Sequence, residues 1–121
     1  MINILPESHD NIVGVKASGK VTDADYKDVI IPKLDSVLSE YDKSNFLYYL
    51  SDEFEGFELG AMWDDLKYAS GHHKKFNKIA LVGGNKWVEW STSVCGHMMN
   101  AEIRTFSDDQ LSDAWQWVES Q

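Results

Sequence analysis

Apolar residues along this chain gather into short unbroken runs, separated by glycine turns and by stretches of helical period. The clearest case spans residues 76–90, where Ile79-Ala80-Leu81-Val82 meets Gly83-Gly84 and then Trp87-Val88-Glu89-Trp90. A continuous apolar run, a glycine turn and an aromatic-led helix are the marks of a buried parallel strand feeding a helix. The same order recurs over 46–66 and 103–117.

Other segments follow from the same patterning. Residues 1–5 alternate apolar and polar and predict an edge or second strand, and 11–17 predict another, closed by a hairpin or strand-exit signal at Ser18-Gly19-Lys20. Thr22 is placed to cap a helix whose first turn carries Asp23 and Asp25. Pro32 divides that helix into a short piece, 24–30, and a longer one, 32–41, with Leu34, Val37, Leu38 and Tyr41 on one stripe. A strand over 46–50 should end at Ser51-Asp52, followed by a loop, 53–58, that sets Phe54 and Phe57 among three glutamates. Leu59, Met62, Trp63, Leu66 and Ala69 then have helical spacing, and Gly71 marks the end of their helix. A strand over 78–82, a helix over 86–99 and a strand over 101–106 follow. Ser107, with Gln110 three residues on, caps a last helix over 111–118. The order β-β-α-β-α-β-α-β-α predicts one α/β domain over residues 1–121. Its sheet is mixed and largely parallel, of about five strands, backed by about four helices.

Charge narrows the partners. Twenty acidic and 11 basic residues leave a formal net charge of -9, a field that repels phosphate backbones and excludes nucleic acid as an expected partner. The single cysteine, Cys95, permits no intrachain disulfide and fits a reducing compartment. No charged start and apolar run resembling a signal peptide is present, and no apolar run nears the roughly 20 residues of a membrane span, so a cytoplasmic location is expected.

Candidate chemistry is sparse. No metal or cofactor is expected: His72 and His73 are adjacent and diverge on a helix, and His97 lies about 200° around a helix from Cys95. The Gly83-Gly84-Asn85-Lys86 turn lacks the phosphate-loop patterns, and Ser91, Thr92 and Ser93 lack a nucleophile-elbow setting. The predicted helix 86–99 stands out, because Trp87, Val88, Trp90, Val94, Cys95, Met98 and Met99 cover about half its circumference. A core helix flanked by other helices, a dimer contact, an apolar ligand or a bilayer surface would each account for that width. Phe54 and Phe57 pose a similar choice: a lid over an apolar pocket, or rings that staple the helix start onto the sheet.

Several segments together resemble the SpoIIAA-like proteins, small bacterial domains related in fold to the STAS domains of anti-sigma factor antagonists. They are Asp25-Tyr26 before Ile31-Pro32, Phe54-Glu55-Gly56-Phe57, Trp63-Asp64-Asp65-Leu66-Lys67, 78–83 followed by Trp87, and Ala114-Trp115. The resemblance implies a mixed sheet backed by helices, frequent self-association and a likeness to CRAL-TRIO lipid-carrier domains. It also implies ligand binding and membrane association. The phosphorylatable serine of the antagonists has no equivalent, since the start of the relevant helix reads Phe57-Glu58-Leu59-Gly60 and Ser51 comes too early.

The resulting expectation is a non-catalytic binding or regulatory module that forms a homodimer. It would bind an apolar ligand, lipid among the candidates, through Phe54, Phe57, Trp63, Trp87, Trp90, Met98 and Met99, with peripheral membrane contact as a further expectation. The alternative is a STAS-type protein-interaction module. An enzyme would require convergent polar groups in a concave site.

Overall fold

The computed structural model describes residues 1–72, 75–87 and 101–120. In chain order they form β1 (Ile2–Ile4), β2 (Ile12–Val21), α1 (Asp23–Asp25), a π-helical turn (Tyr26–Ile30), α2 (Ile31–Glu40), β3 (Ser44–Phe57) and α3 (Leu59–His72). Next come β4 (Phe76–Val82), a 3-10 turn (Gly84–Trp87), β5 (Glu102–Phe106), a second 3-10 turn (Asp108–Gln110) and α4 (Leu111–Glu119).

The five strands lie side by side in chain order, β1 antiparallel to β2 and the remaining pairs parallel. Each crossover between parallel strands advances one position in the same direction. With right-handed connections, the described parts of the intervening segments fall on one face. Tyr26, Ile30, Leu34 and Val37 pack there with Ala61 and Trp87 against Val13, Val15, Tyr48, Leu50, Ile79 and Leu81. Among the described residues, Leu5 and the segment after β5 pack on the other face. Ala114, Trp115 and Val118 of α4 do so, over Ile12, Leu47, Ala80 and Val82. Both faces of β3 and β4 are therefore buried, which explains their unbroken apolar runs.

Thr22 caps the first helical run as expected. Its backbone N–H donates to Asp25 Oδ2 at 2.8 Å and Asp25 N–H returns a bond to Thr22 Oγ1 at 3.3 Å. Pro32 does not divide the run. The wide turn Tyr26–Ile30 precedes it, closed by Ile31 N–H donating to the Tyr26 carbonyl, so the chain passes into α2 without a break. The described residues thus hold three helical runs instead of about four helices. The expected helix 86–99 begins in a 3-10 turn, and its remainder lies outside the described residues.

Two expected strand ends are displaced. Ser18-Gly19-Lys20 does not close β2, because Gly19, at φ 61, takes up a register shift and the strand continues to Val21. The longer β2 supplies partners for what the composition marked as a loop. Gly19 pairs with Phe54, Lys20 with Gly56 and Val21 with Phe57, so residues 53–57 are the end of β3. Ser51, buried, donates through Oγ to the Ala17 carbonyl at 2.9 Å and helps hold this extension.

Close packing on the α4 face rests on Gly14. A Cβ there would stand 2.5 Å from Trp115 Cη2 and 2.7 Å from Cζ2. Gly14→Ala is expected to cost about 1–3 kcal/mol by overpacking. In a double-mutant cycle read by chemical denaturation, adding Trp115→Phe should recover part of that loss. Additive losses would show that the indole does not set the requirement.

Candidate functional site

β3 outruns β4, and this difference shapes the carboxyl end of the sheet. The last β3–β4 partners are Tyr49 and Val82, whereas β3 continues beside β2 to Phe57. The chain leaves β4 at Gly83, φ 138, where a Cβ would come within 3.1 Å of Leu50 Cβ and 3.2 Å of the Leu50 carbonyl oxygen. A residue with a side chain would meet the protruding strand, so glycine makes the turn.

The turn carries Trp87 back over the end of β4. Its Nε1 donates to the Val82 carbonyl at 2.9 Å, and the ring, 2% exposed, meets Tyr48 edge-on at 4.8 Å. Phe57 lies 6.4 Å from Trp87 and 6.3 Å from Tyr48, and Phe54 stands edge-on to Phe57 at 5.0 Å. Beneath them the Tyr26 and Tyr48 hydroxyls are 3.0 Å apart. Each aromatic contact of this kind contributes about 0.5–1.5 kcal/mol beyond its buried area.

The cluster grades outward. Trp87 and Tyr48 are buried, Phe54 and Phe57 are half-buried, and Leu59 and Trp63 on the first turns of α3 are 89% and 61% exposed. On α3, Ala61 is buried and Tyr68 is half-buried, whereas Leu59 and Trp63 of the helical stripe are exposed. Small residues bring the helix close to α1: a Cβ on Gly60 would lie 3.2 Å from Asp23 Cβ. Spacing alone favoured the bulky residues. The Gly60-Ala61 pair was the signal for the packed side.

Glu53, Glu55 and Glu58 are exposed along this end. Where α1 meets α3, Asp64 and Asp23 share a hydrogen bond, which two ionised carboxylates cannot make. Burial first, then the bond and charge of Asp23, push the Asp64 carboxyl above its usual range. Asp23 is held down by its bond with Asp64 and then by Lys27, whose Nζ is 3.2 Å from Asp23 Oδ2. Asp64 Oδ2 is enclosed and has no hydrogen-bond partner among the described residues. Tyr68 Oη donates to Asp35 Oδ1 at 2.9 Å, and burial followed by that partner keeps the phenol neutral far above neutral pH.

A polar hollow of about 570 Å³ opens at the opposite end, between the starts of β2–β4 and the end of α4. Its groups are engaged in holding α4. Asn45 Nδ2 donates to the Val118 carbonyl at 2.7 Å, and Lys78 Nζ donates to the Trp117 and Ser120 carbonyls at 3.1 and 3.0 Å. The lysine charge also suits a helix C-terminus.

Of the residues expected to form a ligand site, Phe54, Phe57 and Trp87 come together and Trp63 stands exposed on α3. Trp90, Met98 and Met99 lie outside the described residues, as do Cys95 and His97. Leu59 and Tyr48 extend the group. Among the described residues no cluster of three metal-ligating side chains occurs, and no helix is long and apolar enough to cross a membrane.

A mixed sheet wound in one direction, with an aromatic cluster at its carboxyl end, defines a STAS-like α/β domain. The SpoIIAA-like family model matches residues 12–119. Among solved structures, the chain is similar to an uncharacterized protein of the DUF3478 family from Shewanella loihica PV-4, which has a SpoIIAA-like fold. Identity is 32% over 98% of this chain and 92% of that one, with a TM-score of 0.72. A comparison with curated proteins gives no match. The chain belongs to the SpoIIAA-like family.

Asp64→Asn removes the need for a proton between α1 and α3 while keeping a donor for Asp23. A carboxyl whose folded value is raised contributes stability below its unfolded value, near 3.8, and loses it as pH rises through the folded value. The variant should therefore melt above the wild type at neutral pH, with the gain shrinking below pH 3.8. A gain that grows on acidification, measured by thermal melts across pH, would contradict a raised Asp64 carboxyl.

Proposed function

We propose that this protein is a non-catalytic binding module that takes up an apolar ligand, with lipid acyl chains as the leading class. The supporting observation is the apolar gradient from buried Trp87 through half-buried Phe57 and Phe54 to exposed Leu59 and Trp63. A tryptophan and a leucine four residues apart on a helix form one exposed apolar strip. An acyl chain lying along that strip would shield both side chains and reach the half-buried rings.

The carboxylates at this end govern which surfaces can approach. Glu53, Glu55 and Glu58 oppose anionic headgroups, so any peripheral membrane contact is with zwitterionic lipid. The same acidic surroundings favour a second reading, a STAS-type module that docks a basic amphipathic segment of a regulatory protein on Leu59 and Trp63. Self-association accompanies either reading and is treated separately below.

Native mass spectrometry of gently purified protein should show retained mass that maps to a lipid or fatty acid. A fluorescent fatty-acid probe should bind the wild type and bind Trp63→Ala about tenfold more weakly, equivalent to about 1.4 kcal/mol. The melting temperature of the variant should stay close to that of the wild type, because Trp63 is exposed. Clean apo protein, or probe binding indifferent to both Trp63→Ala and Leu59→Ala, would reject the ligand reading in favour of the interaction module.

A further inference from the structure

β5 is the last strand of the sheet. Among the described residues β5 pairs with β4 alone, in unshifted register from Glu102 to Phe106. Phe106 turns its carbonyl toward β4, where it accepts from Gly83 N–H at 3.0 Å. Backbone groups alternate sides along a strand, so those of Ile103 and Thr105 point away from β4. Proteins commonly guard such an edge with proline, a bulge or charged side chains, which a partner of opposite charge can neutralise. Residues 102–106 contain no proline and no register shift, and their two charges, Glu102 and Arg104, are opposite in sign.

We propose that β5 is a self-association edge on which a second copy of the chain adds antiparallel. Ile103 lies opposite its own copy on the two-fold axis, and Glu102 lies opposite Arg104 of the second copy. The backbone permits this register, because residues that face each other across an axis through Ile103 direct their N–H and C=O groups outward. Pairing over residues 101–105 would form about six hydrogen bonds. Glu102 and Arg104 then fall at the closer, non-hydrogen-bonded positions, where opposite charges attract most.

Charge selects this register against its neighbours. An axis through Glu102 would oppose two glutamates, and one through Arg104 two arginines. An axis through Thr105 would set Glu102 against Asp108. The side chains are also available: Glu102, Arg104 and Thr105 are exposed, and α4 packs mainly over β3 and β4 on that face. Arg104 is held in place, its guanidinium 5.8 Å from the Trp117 ring and 5.9 Å from that of Phe106. Five residues of edge make a small interface, so a weak, reversible dimer is expected. This edge is separate from the aromatic end, and the inference does not rest on the ligand reading.

Sedimentation equilibrium up to on the order of 1 mM protein tests it. Wild type should dimerise reversibly. Glu102→Arg and Arg104→Glu should each weaken the dimer about tenfold, since the two-fold axis doubles each repulsion. The double reversal, which restores opposite charges, should return to near wild-type affinity. Circular dichroism and melting confirm that each variant folds, and Glu102→Arg carries the test even if Arg104→Glu loses its ring contacts. A monomeric wild type, a Glu102→Arg protein that dimerises as the wild type does, or a folded double variant no stronger than the single ones would overturn the proposal.

Discussion

The unequal lengths of β3 and β4 are the constraint on which the candidate site depends. β3 continues to Phe57 because β2 continues beside it, through the irregular register at Gly19. β4 stops at Val82, and the protruding Leu50 leaves room only for glycine at position 83. That turn delivers Trp87 onto Tyr48 and seats its N–H on the Val82 carbonyl. The tryptophan, the strand extension and the paired tyrosine hydroxyls form one connected unit. Without the extension, Phe54 and Phe57 would have no backbone partners and no fixed position beside the indole.

Electrostatics then divides the molecule. At the carboxyl end, carboxylates border an apolar strip, and Asp64 of α3 is bonded to Asp23 of α1 with its carboxyl held above the usual range, by burial first and then by Asp23. At the amino end, Lys78 and Asn45 spend their donors on the terminal carbonyls of α4. The polar hollow is therefore the less persuasive binding site, because its polar groups already serve the fold. The aromatic end has apolar area that no described packing consumes, which is the physical basis for placing a ligand there.

Asp25 shows how local capping and electrostatics join. Burial pushes its carboxyl up but is outweighed by bonds from the Thr22 backbone and hydroxyl and by the nearby amino group of Met1, leaving it below the usual value. A carboxylate of this kind contributes above its unfolded value and loses that contribution as pH falls through the folded one, the reverse of Asp64. The two acids occupy neighbouring elements yet respond oppositely to pH, because donors surround one and a second carboxyl faces the other.

Periodicity and punctuation in the sequence determined the element order over the described residues, the largely parallel sheet, the Thr22 and Ser107 caps and the glycine turn at Gly83-Gly84. Each depends on a residue and its near neighbours, so the information is local. The extent of β2 and β3 was not legible, because Ser18-Gly19-Lys20 and the acidic Phe54–Phe57 segment resemble turns unless each strand is present to pair the other. Nor could spacing show which side of α3 meets the domain. Leu59 and Trp63 share the helical spacing of the stripe yet are exposed, while Gly60 approaches Asp23 and Ala61 is buried. Only the tertiary structure decided these points, because strand pairing and helix rotation are set by partners distant in the chain, whose energies sequence patterning does not contain.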